Sequence, residues 1–177
     1  ELSPVFNTVN RNKYDITLEL TEPNCARLFK DLVRISDIVL ESFTPRVMKN
    51  LGLGYPVLKE LNPTLIMVSL PAFGLSGPLR DYAGVGMTAD CMAGLSSITG
   101  YQGEGPRLQP NAYGDPVSGI NGAIAVMMAI RHRYMTGEGQ HIEGAHVETV
   151  LHHMAAPLMD YVMNGRIWPR HGNQDPV

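Results

Sequence analysis

The residues with the clearest chemical potential lie in 111–146, where Gly114-Asp115-Pro116 stands directly before a long apolar segment. A carboxylate at a helix start can accept a hydrogen bond from a backbone N–H that has no intrahelical partner, and the helix dipole favours its anionic form. The bland role for such a group is capping; the sharper one is nucleophile or base. Pro116 suits the first helical position, where its missing N–H costs nothing, so the spacing predicts Asp115 as the N-cap. Beyond it Val117, Ile120, Ile124, Met127, Met128 and Tyr134 recur at helical period and predict a core-facing stripe. Arg131, His132 and Arg133 cluster near its end, Gly137 suits the terminating position, and 140–145 reads as a short strand.

Other chemistry-bearing patterns are weaker. Gly84-Val85-Gly86-Met87-Thr88-Ala89 matches a dinucleotide-binding glycine pattern, but it follows a proline-rich loop rather than a strand, which argues against a nicotinamide or flavin site. Ser76 lacks the spacing of a nucleophile elbow. His141, His146, His152 and His153 form no metal-type motif and read as solvent-facing or capped histidines, so no metal is expected.

The elements that must carry these residues follow from periodicity. Alternation at Ile16, Leu18 and Leu20 predicts a strand over 14–20, and Thr21-Glu22-Pro23 opens a helix to about residue 35. A buried strand at 38–40 completes a β-α-β unit. Short helices are expected at 44–50 and 57–61, and 65–70 is a continuous apolar strand of the kind buried on both faces of a parallel sheet. The glycine-rich loop 73–78 then falls at the carboxyl edge, where open α/β sheets bind ligands. A helix over 87–95, a second glycine-rich loop over 100–110, and an apolar helix over 147–164 kinked at Pro157 complete the reading. The fold class is α/β, a Rossmann-like layered domain with a mostly parallel sheet. Residues 1–165 form its core and 166–177 a connector leaving it.

With 177 residues, 44% hydrophobic and 18% charged, the chain can bury a substantial core. A net charge of −3 without a basic run argues against nucleic acid. Cys25 and Cys91 are isolated, which suits a reducing cytoplasm, and no membrane partner is expected because no long apolar span occurs. The chain lacks an initial Met, so it is expected to be a segment of a longer product.

Several stretches together resemble the family III CoA-transferases, the group that includes formyl-CoA transferase, carnitine CoA-transferase and α-methylacyl-CoA racemase. They are Asn10-Arg11-Asn12-Lys13, Glu41-Ser42-Phe43-Thr44-Pro45 with Leu51-Gly52-Leu53-Gly54, Phe73-Gly74 with Gly77-Pro78, and Gly114-Asp115 with the Thr136-Gly137-Glu138-Gly139-Gln140 turn. The resemblance implies that Asp115 is the nucleophile, and that Asn10, Lys13, Ser42, Phe43 and Val47 contact coenzyme A. Lys13 can neutralise phosphate and Phe43 can pack on adenine or pantetheine. Backbone N–H groups around Gly74, Gly84 and Gly114 are the expected oxyanion donors.

The implied reaction is transfer of CoA from an acyl-CoA to a carboxylic acid through an aspartyl-CoA intermediate, in a homodimer, without metal or NAD. Val85 stands where the racemase branch has a histidine and cannot transfer protons, which favours the transferase branch. The resemblance covers neither the family's smaller second domain nor its later glycine loop. A non-catalytic CoA-binding or interaction module is therefore the alternative.

Overall fold

The computed structural model describes residues 3–174. In chain order its elements are α1 (Pro4–Val9), α2 (Pro23–Arg34), β1 (Ile38–Glu41), α3 (Arg46–Asn50), α4 (Tyr55–Leu61), β2 (Ile66–Ser69), α5 (Gly86–Met92), α6 (Leu95–Ile98), α7 (Gly114–Thr136), β3 (His141–Glu143), α8 (His146–His153) and α9 (Ala155–Asn164). The strands form one parallel sheet in the order β1-β2-β3, with Glu41, Ser69 and Glu143 side by side at its carboxyl edge.

β2 is buried along its whole length, as its unbroken apolar run predicts. Met67 faces α2, α3 and α4 in a cluster with Val33, Met48, Leu53, Leu58 and Leu65. Ile66, Val68 and Leu70 face α7 and pack on Ala129. A third cluster, Ala89, Ala93, Val150 and Met154, joins α5 to α8. The layered α/β expectation holds.

Several other expectations do not. Residues 14–20 form no strand; Tyr14 and Ile16 are exposed, and no strand among the described residues pairs with the segment. Alternation alone cannot make a strand without a ladder partner and a surface to cover. The parallel crossover therefore runs from β1 through α3 and α4 to β2.

The stripe expected to face the core from α7 instead faces outward: Ile120, Ile124, Met127, Met128 and Tyr134 are all exposed. The buried side is Gly114, Val117, Ser118, Gly122 and Ala129. Small residues bring the helix axis close to the sheet, so close that a Cβ on Gly122 would lie 2.9 Å from Leu70 Cδ1. Large side chains on that face would hold the helix off. At its far end Gly137 adopts φ +77° and closes the helix onto Arg133 O, as expected. The Arg133 guanidinium reaches the Thr64 carbonyl and the Asp37 carboxylate, the latter at 3.0 Å.

The last helical stretch is two helices broken at Met154, three residues before Pro157. A proline ring clashes with the carbonyl four residues earlier, which here belongs to His153, the last residue of α8. The tail does not leave the domain over its described part. Trp168 Nε1 and Arg166 Nε donate to the Asp160 carboxylate, Arg170 donates to Ser97 O, and the Gly172 N–H donates to Gly100 O. Residues 175–177 of the expected connector lie outside the described residues.

Candidate active site

β2 delivers the chain past Ser69 to Pro71 and Ala72, whose carbonyls accept the first N–H groups of α8, from His146 at 3.2 Å and Val147 at 3.1 Å. The start of α8 is thus hung on the carboxyl edge of the sheet. The start of α5 comes to the same place: a Cβ on Gly84 would fall 2.9 Å from Ala72 Cβ. α7 then begins against α5. A Cβ on Gly86 would lie 2.6 Å from Asp115 Cγ and Oδ2, and one on Gly114 would lie 2.9 Å from Gly86 O. Only glycines permit this approach. The glycine spacing that imitates a dinucleotide motif has a packing explanation here.

Asp115 is not the N-cap. α7 starts one residue earlier, at Gly114, with Tyr113 as the cap residue, and Asp115 occupies the second helical position. The cap comes from outside the segment: Asp90 on α5, fully buried, accepts the Gly114 N–H through Oδ1 at 2.8 Å. Burial pushes the Asp90 carboxyl above its ordinary value; the Gly114 and Tyr113 N–H groups work against this, and the nearby Asp115 charge adds to it. Ala112, just before this turn, is held at φ +45°, a conformation L-residues rarely adopt.

Relieved of capping, the Asp115 carboxylate is half exposed. Among the described residues its one ion-pair neighbour is His146, whose Nδ1 stands 3.3 Å from Asp115 Oδ1 while the ring is largely buried. The pair lies within ion-pair distance, but Nδ1 makes no aligned hydrogen bond among the described residues. A proton on Nδ1 makes the contact attractive, whereas its absence sets two lone pairs against each other. His146 is therefore not a solvent-facing histidine, and no sequence signal marks it. His141 and His153 are partnered too, with Ser69 Oγ at 2.9 Å and the Tyr113 hydroxyl at 3.2 Å.

The remaining expected site residues divide. Ser42 and Phe43 follow β1 at the same edge, and Val47 lies in the first turn of α3; Ser42 Oγ donates to Leu70 O, and the Phe43 N–H is held by the buried Glu41 carboxylate at 2.8 Å. The Gly74 loop is fixed by Glu143, which accepts the Leu75 N–H at 2.6 Å. Asn10 and Lys13 bond to each other at 3.1 Å, and every hydrogen bond of 3–18 among the described residues stays within that segment. No hydrogen bond among the described residues ties them to the sheet edge. The Gly114 N–H is committed to Asp90, so it cannot serve as an oxyanion donor.

The site is thus a half-exposed carboxylate between helix starts at the carboxyl edge of a parallel α/β sheet, the edge at which open sheets of this class bind ligands. The chain belongs to CoA-transferase family III, whose model matches residues 1–177. It is 36% identical over 166 residues to the succinyl-CoA–L-malate CoA-transferase beta subunit of Chloroflexus aurantiacus, covering 93% of this chain and 41% of that one. It is 36% identical over 171 residues to the succinate–glutarate CoA-transferase of Agrobacterium fabrum, covering 97% and 43%. The crystal structure of a CAIB/BAIF family protein from Brucella suis superposes with a TM-score of 0.86 at 32% identity, covering 91% of this chain and 43% of that one. The chain thus spans less than half the length of these relatives.

Proposed function

We propose that this domain transfers CoA from an acyl-CoA thioester to a carboxylic acid, with Asp115 as the nucleophile. The observation that carries the reading is the Asp115 carboxylate itself, half exposed yet pressed against Gly86 where the first turns of α5, α7 and α8 meet. Helix starts present N–H groups without intrahelical partners and stabilise negative charge there.

An Asp115 oxygen attacks the thioester carbonyl carbon, the C–S bond breaks, and CoA departs as a thiolate, leaving a mixed anhydride. The thiolate attacks the aspartyl carbonyl, releasing the donor acid and forming an aspartyl-CoA thioester. The acceptor carboxylate then attacks that carbonyl, and the displaced thiolate attacks the acceptor carbonyl, which restores the Asp115 carboxylate. No net proton is needed. With the Gly114 N–H occupied, the first turn of α5, where Gly86 packs against Asp115, would supply the oxyanion donors through its Gly86 and Met87 N–H groups.

Ser42, Phe43 and Val47 would hold the pantetheine and nucleotide along the edge after β1. The names of the relatives make succinyl-CoA the first donor to try and a small dicarboxylate the first acceptor. The outward apolar side chains of α7 and α9, Met127, Met128, Tyr134, Val162 and Met163 among them, support a homodimer. Cys25 and Cys91, both free thiols, support a cytoplasmic setting. No helix among the described residues is long and apolar enough to cross a membrane.

The test is intact-mass spectrometry after incubation with succinyl-CoA and other thioesters, quenched with hydroxylamine or borohydride, with Asp115→Ala as control. An adduct mapped to Asp115 and lost in the control is expected. Bound CoA without any adduct would leave a CoA-binding module as the better description.

A further inference from the structure

We infer that Asp90 is a positioning residue that caps α7 from the neighbouring helix and thereby frees and orients the Asp115 carboxylate. The inference rests on Asp115 being the reacting group. Gly86 and Asp90 are one turn apart on α5, so they share a face, and that face meets the first turn of α7. Gly86 gives Asp115 room; Asp90 holds the residue before it. The Tyr113 side chain supplies no capping hydrogen bond. Asp115 is the local carboxylate able to take the role, and in doing so it would fold back on its own backbone. Asp90 occupies the Gly114 N–H instead, and the Asp115 side chain turns to His146 and solvent.

The geometry of Asp90 fits little else. It is fully buried, so it touches neither solvent nor substrate, and its Oδ2 has no partner among the described residues. A buried carboxyl with one unpaired oxygen is destabilising, and a purely apolar residue would pack without that cost. What an apolar residue cannot supply is an acceptor for the first N–H of a buried helix start.

The experiment compares Asp90→Ala and Asp90→Asn in the 177-residue chain. The rate of Asp115 acylation by succinyl-CoA is followed by intact mass, exchange of the Gly114 amide by NMR, and folding by thermal melting. Asp90→Ala is expected to speed Gly114 exchange about fivefold or more, since a lost cap is worth roughly 1 kcal/mol. Acylation at saturating thioester should slow by roughly a hundredfold, the scale set by a small misplacement of a reacting group, while the half-saturating concentration stays within about threefold. Asp90→Asn keeps the acceptor oxygen and is expected to restore both readings to within about threefold of the parent.

A folded Asp90→Ala that acylates at the parent rate, or an Asp90→Asn as slow as the alanine variant, overturns the inference. If Asp90→Ala does not fold, Asp90→Ser, too short to reach the Gly114 N–H, takes its place with the same expectations. If the parent forms no adduct, the transferase reading fails on its own. The inference is then decided by Gly114 exchange and by carbodiimide coupling of Asp115 to an amine, and an unchanged pair of rates in Asp90→Ala sinks it.

Discussion

Gly86 and Asp115 are packed so closely that a single methyl group on Gly86 would sit 2.6 Å from the Asp115 carboxylate and 2.8 Å from its backbone nitrogen. The neighbour is partly backbone and lies at a helix start, so it cannot swing away. Gly86→Ala should therefore cost about 1–3 kcal/mol of stability, the usual range for overpacking, and displace Asp115. Chemical denaturation gives the first quantity and the acylation rate the second. An alanine variant as stable and as reactive as the parent would show that α5 and α7 do not meet as described.

His146 touches the Asp115 carboxylate and hangs on Pro71 at the sheet edge. His146→Leu preserves the bulk of the buried ring and removes Nδ1. Acylation of Asp115 should fall by roughly ten- to a hundredfold, at or below the low end of what a positioned proton-bearing group contributes. Asp115→Ala should abolish it. Equal acylation in His146→Leu and the parent would make His146 a packing residue only.

Asp90 also predicts a pH dependence. Its carboxyl titrates above its ordinary value of 3.8 in the folded protein, so the folded state holds a proton that the unfolded chain has released. The stability this contributes is fully present below pH 3.8 and is lost as pH rises through the raised folded value. Asp90→Asn cannot titrate. Melting temperatures of the two proteins should thus diverge in favour of asparagine as pH rises from 4 towards 7, and parallel curves would contradict the assignment.

His141 acts in the opposite sense. It stacks on Tyr55 with ring centroids 4.9 Å apart and bonds to Ser69, and desolvation lowers its folded value from the ordinary 6.5 despite the pull of Glu143 and Glu41. Its contribution is present above pH 6.5 and is lost as pH falls through the depressed value. His141→Gln should remove part of the destabilisation seen between pH 7 and pH 5. Melting curves across that range check it.

Much of the frame was legible because local rules decide it. The continuous apolar run of β2, Pro23 at the start of α2 and the glycine that ends α7 each depend on neighbours in sequence, and each stands where expected. The strand over 14–20 failed because a strand is defined by a partner, and the outward stripe of α7 failed because periodicity finds a face without saying what it meets.

The candidate site shows the same division. The sequence by itself determined the α/β class, the position of Asp115 at a helix start, and the loops at the sheet edge after β1 and β2, since these follow from local spacing and from the resemblance of short motifs. Only the tertiary structure decided that Asp90 caps the helix in place of Asp115, that Gly86 lies beneath the carboxylate, and that His146 faces it. Those relationships join residues on three different helices, and the close approach of backbones that creates them leaves no periodic mark in the chain.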